Sequence, residues 1–372
     1  MKTRQDAADH MEAELRNAVR GRNQEDVSLA YSRLGLLPEK TDLRHAVLSF
    51  YSSQALAFYD SRAKEIVVID NTTGEANGAS SRKIDDRAIA HELTHALQDQ
   101  VFSLGVRLRS ETNGDAAIAL RAVAEGDALV SEHAYAVGAL DKWLVGYVLQ
   151  RLEPGNTGAM LPDVPALMLD RSDFQYRAGT RFVLRSTNSS DWSLVNRLYT
   201  HPPLSTEQVL HPEKYFETPD PPSRIDLGNL SALFSSEWKE IENDTLGELL
   251  VRCLFNQWLG PTRAAAISAG WDGDRFVAYR KGDDVAFIWA TIWDSSADAR
   301  EFYEGYQELL SHKSTSLPKD SHVYIERRDR TVIVVEGFDP GLVKNQVQTV
   351  WSEMITQEEI FQPPPSQTIA TQ

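Results

Sequence analysis

Two of the nine histidines in the 372-residue chain, His91 and His95, stand four residues apart in AIAHELTHALQDQ, with Glu92 directly after the first. On an α-helix such positions differ by about 40° around the axis and about 6 Å along it. Both imidazoles therefore leave one face and can share one ion. Glu92 lies about 100° further around, where it flanks that ion without ligating it. Its carboxylate is placed to take a proton from a water that Zn2+ acidifies and to return it to a leaving amine. The chemistry these residue types suit is zinc-dependent hydrolysis.

A catalytic zinc takes a third protein ligand and keeps a fourth position open. The extended pattern H-E-x-x-H-x-x-G-x-x-H fails, because Gln98 and Val101 stand where Gly and His are required. Cys253 lies among Leu249, Leu250, Val251, Leu254 and Phe255, which predicts a buried, inert thiol. Glu125, in LRAVAEGDALV, is a lone acid in a stretch of small apolar residues. Burying a carboxylate there is costly unless it is paired or ligates a cation. Glu125 is thus the expected third ligand, and a salt bridge to Arg121, one helical turn earlier, is the competing reading. Glu132 and His133, two turns further on, are weaker rivals.

HELTHALQDQ resembles the active-site helix of thermolysin-like zinc metallopeptidases, down to Thr94, Ala96 and Asp99. The pairing with a downstream Glu is similar to the gluzincin group. The resemblance implies that His91, His95 and Glu125 bind Zn2+ and that Glu92 is general base and acid. It also implies a zincin-like domain whose small sheet lies over the motif helix, with an edge strand lining the cleft for a peptide or protein substrate. Backbone pairing of that kind would give loose sequence specificity. The group places an Asp four residues after the ligand Glu to orient a zinc-binding His, and here that position is Leu129. Asp127 would need a distorted helix to replace it, which Gly126 permits, and Asp99 is another candidate orienter. YTHPPLSTEQVLHPEKY is similar to a His-Pro-Pro segment of membrane-linked gluzincins. By that analogy His201, stiffened by two prolines, steadies the oxyanion. The competing reading is an ordinary loop histidine. Tyr199 and His211, and more weakly Tyr176, are alternates for that role.

The elements that must hold these residues follow from spacing. Residues 1–40 read as an N-terminal helical segment and 43–53 as a short helix. ALAFYD and EIVVID flank a turn at Ser61–Lys64 and predict a β-hairpin. A loop rich in Gly, Asn and Ser follows at 71–83. The motif helix is expected over about 85–101, capped by Asp85 or Asp86, with Ile89, Leu93, Ala96 and Leu97 as its buried stripe. A longer helical region covers 114–152, with breaks allowed at Gly126 or Gly138. Residues 153–225 carry nine prolines and read as loop-rich. Beyond 226 come a helical stretch at 244–268, a turn at GWDGDR, strands RFVAYRK and VAFIWATIWD, a helix, strands HVYIERRD and TVIVVEGF, and a helix from Pro340. The expected fold class is α+β: a zincin-like metallopeptidase domain at 41–225, a C-terminal antiparallel α+β domain at 226–360, and a disordered tail at 361–372.

Composition narrows the partners. The formal charge of −16 disfavours a phosphate backbone, so no nucleic acid is expected. No apolar run approaches the roughly 18 residues of a membrane span. The first residues, MKTRQDAADHMEAELRN, lack a signal-like apolar core, which predicts a cytoplasmic protein or an exported form trimmed of its signal. GWDGDR lacks the Lys-Ser/Thr of a phosphate loop. Two other functions fit the same motif: a non-catalytic zinc-binding or regulatory protein, and a zinc hydrolase of a non-peptide amide.

Overall fold

A computed structural model describes residues 22–54, 57–68, 86–138, 163–186, 192–230, 235–313 and 322–358. The expected N-terminal segment before residue 22, the 71–83 loop, the stretch 139–152 and the 361–372 tail lie outside these residues.

The described chain opens with α1 (Gln24–Leu34), α2 (Leu43–Gln54) and a hairpin of β1 (Ala57–Asp60) and β2 (Glu65–Val68). The motif helix α3 (Asp86–Phe102), the short α4 (Leu104–Ser110) and the long α5 (Gly114–Val137) follow. Next come α6 (Ala166–Asp173), a π-helical turn (Phe174–Ala178), α7 (Gly179–Ser186), α8 (Ser193–Thr200), α9 (Thr206–Leu210) and α10 (Glu213–Phe216). The remainder comprises β3 (Ser223–Asp226), β4 (Lys239–Asp244), α11 (Gly247–Leu259), α12 (Pro261–Ser268), β5 (Trp271–Lys281), β6 (Asp284–Trp293), α13 (Ser296–Lys313), β7 (Val323–Arg328), β8 (Thr331–Glu336), α14 (Pro340–Glu353) and β9 (Ile355–Glu358). The class is mixed α+β with antiparallel sheets, and among the described residues no helix is long and apolar enough to cross a membrane.

Five strands pair antiparallel in the order β4-β5-β6-β8-β7. Side chains alternate across a pleated strand, so each strand feeds two cores. Phe276, Ala278, Phe287 and Trp289 enter the larger one, and Val277, Tyr279, Ala286 and Ile288 enter the smaller. With both faces covered, the near-continuous apolar run of β6 is what the sheet requires. Helix α14 closes the smaller core with Val343, Val347 and Val350. The larger core runs from the sheet through Phe255 of α11 and Phe302 of α13 to Phe182 of α7 and Val123 of α5. It passes without a break across residues 225 and 226, so the packing that supports the sheet also supports α5.

Several expectations need correction. Helix α3 does not bury Leu93 and Leu97, which are 51% and 59% exposed, but His91, Gln98 and Asp99 instead. The polar face turns inward because α5 and the hairpin offer it partners. Helix α5 runs unbroken through Gly126 and ends at the left-handed cap Gly138. Residues 163–225 are mostly helical where described, with their prolines at helix starts, between helices and in the link from α10 to β3. The stretch 244–268 is two helices, divided at Gly260, and WDGDR belongs to strand β5 and not to a turn before it. Strands β3, β4 and β9 had no alternating apolar signature, because β4 is KEIEND and β3 is SRID. Cys253 is buried, and burial followed by the neighbouring Asp170 carboxylate pushes its thiol well above the usual range, as an inert sulfur requires.

Buried acids fasten α5 to the sheet. The amide of Gly114 donates to Asp244 Oδ1 at 2.8 Å. Asp115 accepts from the Thr206 hydroxyl at 2.6 Å and the Thr206 amide at 3.1 Å. Asp274, in β5, accepts from the Leu246 and Gly247 amides at the start of α11 (3.1 and 2.9 Å) and from the indoles of Trp271 and Trp289 (3.1 and 3.0 Å). Four donors converge on one buried carboxylate, so an amide in its place would turn N–H against N–H. Asp274→Asn is expected to cost about 2–4 kcal/mol, read as a lower urea midpoint at unchanged m-value.

Candidate metal centre

Helix α3 packs along α5, and the contact brings His91, His95 and Glu125 together. The Nε2 atoms of the two histidines are 3.2 Å apart. Glu125 Oε2 lies 3.5 Å from the first and 3.4 Å from the second. Tetrahedral zinc with bonds of about 2.0–2.1 Å sets its ligand atoms about 3.3 Å apart, so this near-equilateral triangle has the right size. Glu125 Oε2 is buried without a hydrogen bond. Three lone pairs aimed at one point are unfavourable in the absence of a proton or a cation. The donor set of two imidazoles and one carboxylate suits Zn2+, and the group has three members among the described residues, which leaves a tetrahedral position over.

The electrostatics favour a cation. Burial alone lowers the affinity of His91 for a proton, but the Glu125 and Glu132 carboxylates outweigh it and push its pKa up to about 10. Burial likewise opposes ionisation of Glu125, yet the two imidazoles hold it well below the usual range. Burial raises Glu92, whose carboxyl also takes a hydrogen bond from the backbone of Tyr59.

Behind the ligands runs a chain of hydrogen bonds. Gln98 Nε2 donates to the Ala124 carbonyl at 3.0 Å and to Asp127 Oδ2 at 2.9 Å, which commits Gln98 Oε1 to accepting. His95 Nδ1, 2.9 Å from that oxygen, must carry the proton, so the Nε2 lone pair faces Glu125 and His91. Asp127 is anchored in turn by the Tyr199 hydroxyl at 2.7 Å. His91 presents Nδ1 to Glu132 Oε2 at 3.3 Å, so Glu132 stands where it can orient that ring instead of joining the ligand triangle. The position four residues after Glu125 is Leu129, and Glu132 stands two turns along the same face, 3.3 Å from Nδ1 of His91. Asp127 acts through Gln98 from an undistorted helix. Gly126 serves a different need: a Cβ there would sit 2.4 Å from the Gly179 backbone, and one on Gly179 would sit 2.1 Å from the Ala122 carbonyl oxygen. This contact presses the π-helical turn onto α5. Such turns recur at functional sites, and this one carries Tyr176, whose ring centre is 6.4 Å from that of His91.

The triangle opens into a cavity of about 460 Å³. Glu92 lines it beside the ligands, with Phe58 and Tyr59 of β1 on one wall and Gln175 and Tyr176 on another. Asp99 holds the hairpin in place: it accepts from Tyr59 at 2.9 Å, from Lys64 and from the Gly105 amide at 3.0 Å. It does not reach His95.

The other expected site residues lie elsewhere. Tyr199 is buried, stacked on Phe102 at 4.5 Å, and reaches the centre only through Asp127. His201 follows α8, with Nδ1 3.0 Å from the Thr200 hydroxyl and its carbonyl accepting from Tyr215. His211 pairs with Glu248 at 3.0 Å. His133 Nδ1 donates to the Leu129 carbonyl at 2.8 Å, one turn back on its own helix. None of these four lines the cavity. Sequence reasoning missed the roles of Gln98 and Glu132. Helical spacing placed both near the ligands, at i+3 from His95 and i+7 from Glu125, but only packing reveals what each touches.

Residues 234–346 match the model of a domain of unknown function, DUF8575. That span takes in β4 through the first half of α14 and none of the residues of the metal centre. Neither the curated proteins nor the solved structures compared include a match to the chain.

One zinc per chain is expected by metal analysis. Gln98→Leu frees the His95 ring and should weaken zinc about 10–100-fold in competition with a chromophoric chelator, while the chain stays folded by circular dichroism.

Proposed function

We propose that the chain is a zinc-dependent metallopeptidase of zincin-like architecture. The observation that carries this reading is the ligand triangle of His91, His95 and Glu125 at the floor of a cleft, with the Glu92 carboxylate beside it on the wall. When bound, Zn2+ polarises the scissile carbonyl and makes water acidic. Helix geometry keeps Glu92 off the ligand set, so its carboxylate is available to accept a proton from the attacking water and deliver it to the amine that leaves. Strand β1, with Ala57, Phe58 and Tyr59 along the cavity, offers an extended edge for a peptide backbone. Tyr176 is better placed than Tyr199 or His201 to donate a hydrogen bond to the oxygen that gains negative charge, because it shares the cavity with Glu92. Gln98 holds the His95 imidazole in the tautomer that the ligand triangle needs, and Glu132 faces Nδ1 of His91.

The reading is tested by digesting an unbiased peptide library with zinc-loaded protein. Wild type should cleave, and Glu92→Gln should lose on the order of 10²–10⁴-fold in rate while retaining its zinc. Tyr176→Phe should lower kcat about 10²-fold with little change in KM. Equal turnover by Glu92→Gln and wild type, with zinc bound in both, would falsify the mechanism.

A further inference from the structure

Apart from the metal cleft, whose wall carries Arg109 and Arg121, a second cavity of about 280 Å³ opens between β3 and the β4–β5 end of the five-stranded sheet. The Ser223 carbonyl packs on Gly273, where a Cβ would sit 2.1 Å from its oxygen, and the Ser223 amide donates to Asp272 at 3.1 Å. This close approach sets β3 against β5 and brings Arg224 near the strand that carries Arg275. Side chains alternate along β5, so Arg275 shares a face with Val277 and Tyr279. The register sets Asn243 opposite Val277 and Glu240 opposite Tyr279. Arginines elsewhere in this half of the chain hold carboxylates: Arg263 with Glu301 at 2.9 Å, Arg280 with Asp26 at 3.1 Å and Arg328 with Glu326 at 2.8 Å. Arg224 and Arg275 have neither an ion pair nor a hydrogen bond among the described residues. Acids are not scarce, since Asp and Glu number 54 against 38 Lys and Arg. Asp226 and Glu240 line the same cavity, yet each takes a neutral donor instead: the Gly228 amide at 2.9 Å on Asp226 and Asn243 Nδ2 at 3.1 Å on Glu240. The second bond fixes the orientation of the Asn243 amide, whose Oδ1 is buried and accepts no hydrogen bond. An acceptor left in that state is costly.

We propose that this second cavity binds a free α-amino acid, with its carboxylate on Arg275 and Arg224 and its ammonium on Asn243 Oδ1 and the Glu240 carboxylate. A ligand that is only an anion would meet Asp226 and Glu240, and one that is only a cation would meet two guanidinium groups. A ligand bearing both charges a few bonds apart satisfies both sets. Guanidinium groups hold a carboxylate through two parallel hydrogen bonds, which supplies geometry as well as charge. An ammonium carries three donors, one of which meets the need of Asn243 Oδ1. The volume falls just below the roughly 300–1,000 Å³ of sites for drug-sized molecules, which suits a ligand as small as one amino acid. Arg224 and Asp226 are exposed and Arg275 and Asn243 half-buried, so the site is open to solvent. Ile225, Leu227 and Val277 offer an apolar wall to the ligand's side chain. Strands β4 and β5 belong to the segment that matches the domain of unknown function, and none of the lining residues belongs to the metal centre. The site is therefore independent of the metallopeptidase reading.

Isothermal titration of the full chain with each proteinogenic amino acid in turn tests the site. At least one should bind, one per chain. Its amide and its N-acetyl derivative, which each lack one of the two charges, should bind about tenfold more weakly or worse. Arg275→Gln should weaken the free amino acid about tenfold, and Arg224→Gln should weaken it less, because that side chain is exposed. Asn243→Ala should weaken the free amino acid but not its N-acetyl derivative, which has no ammonium to offer. Arg300→Gln, exposed on α13 and outside the cavity, should change nothing. Circular dichroism checks that each variant is folded, and if Arg275→Gln is not, the wild-type series with amide and N-acetyl derivative decides alone. Acetate or inorganic phosphate binding as tightly as the best amino acid would make this a simple anion site and overturn the proposal. Binding unaltered by both arginine substitutions would place the ligand elsewhere and overturn it too. So would the absence of binding by any amino acid up to about 10 mM, tenfold above a Kd of about 1 mM.

Discussion

The polar contact between α3 and α5 is the constraint on which the rest of the arrangement depends. Helix α3 turns His91, Gln98 and Asp99 inward and leaves Leu93 and Leu97 in solvent. Such a reversal is costly unless the buried polar groups find partners. Gln98 supplies them along much of the helix pair, because it joins the Ala124 carbonyl and Asp127 on one side to His95 on the other. The hydrogen bonds that let two helices meet through polar faces therefore also set the direction of the His95 Nε2 lone pair.

The surroundings of α5 explain why that contact can be narrow and rigid. The helix is tied at its start to β4 and α9 through Asp244, Asp115 and Thr206. It is pressed by the Gly126–Gly179 approach against the turn that carries Tyr176. The larger core extends from it into the five-stranded sheet. The segment matching a domain of unknown function thus forms part of the mass that holds the candidate metal centre in place, though it supplies none of the three candidate ligands. Buried acids do much of the joining, and Asp274 gathers two strands' indoles and a helix start around one carboxylate.

The cleft combines a floor that attracts cations with a wall that bears guanidinium groups. These opposite demands coexist because each is local. Glu125 and Glu132 lie within 3.5 Å of the imidazoles they influence, and charge interactions in a confined cavity are decided at that range. The hairpin closes the third side, held by Asp99 to the end of α3 and by Ser61 to Arg109.

Much was legible in the residues themselves. The spacing of His91, Glu92 and His95, the isolation of Glu125 among small apolar residues and the strand-like apolar runs of β5, β6 and β8 each encode a local geometry, because helix and strand periodicities are fixed by backbone stereochemistry. The buried face of α3 was not legible, since hydrophobic spacing pointed to Leu93 and Leu97, and only the partners on α5 make the polar face the inner one. Strands β3 and β4 escaped notice because pairing with neighbours, and not their own apolar pattern, makes them strands. The sequence alone determined which residue types could hold a metal and on which helices they stand. Tertiary structure decided which of them meet, that Gln98 and Glu132 face the imidazoles, that Tyr176 and not Tyr199 or His201 lines the cavity, and that Arg109 and Arg121 share it, because those facts depend on contacts between segments far apart in the chain.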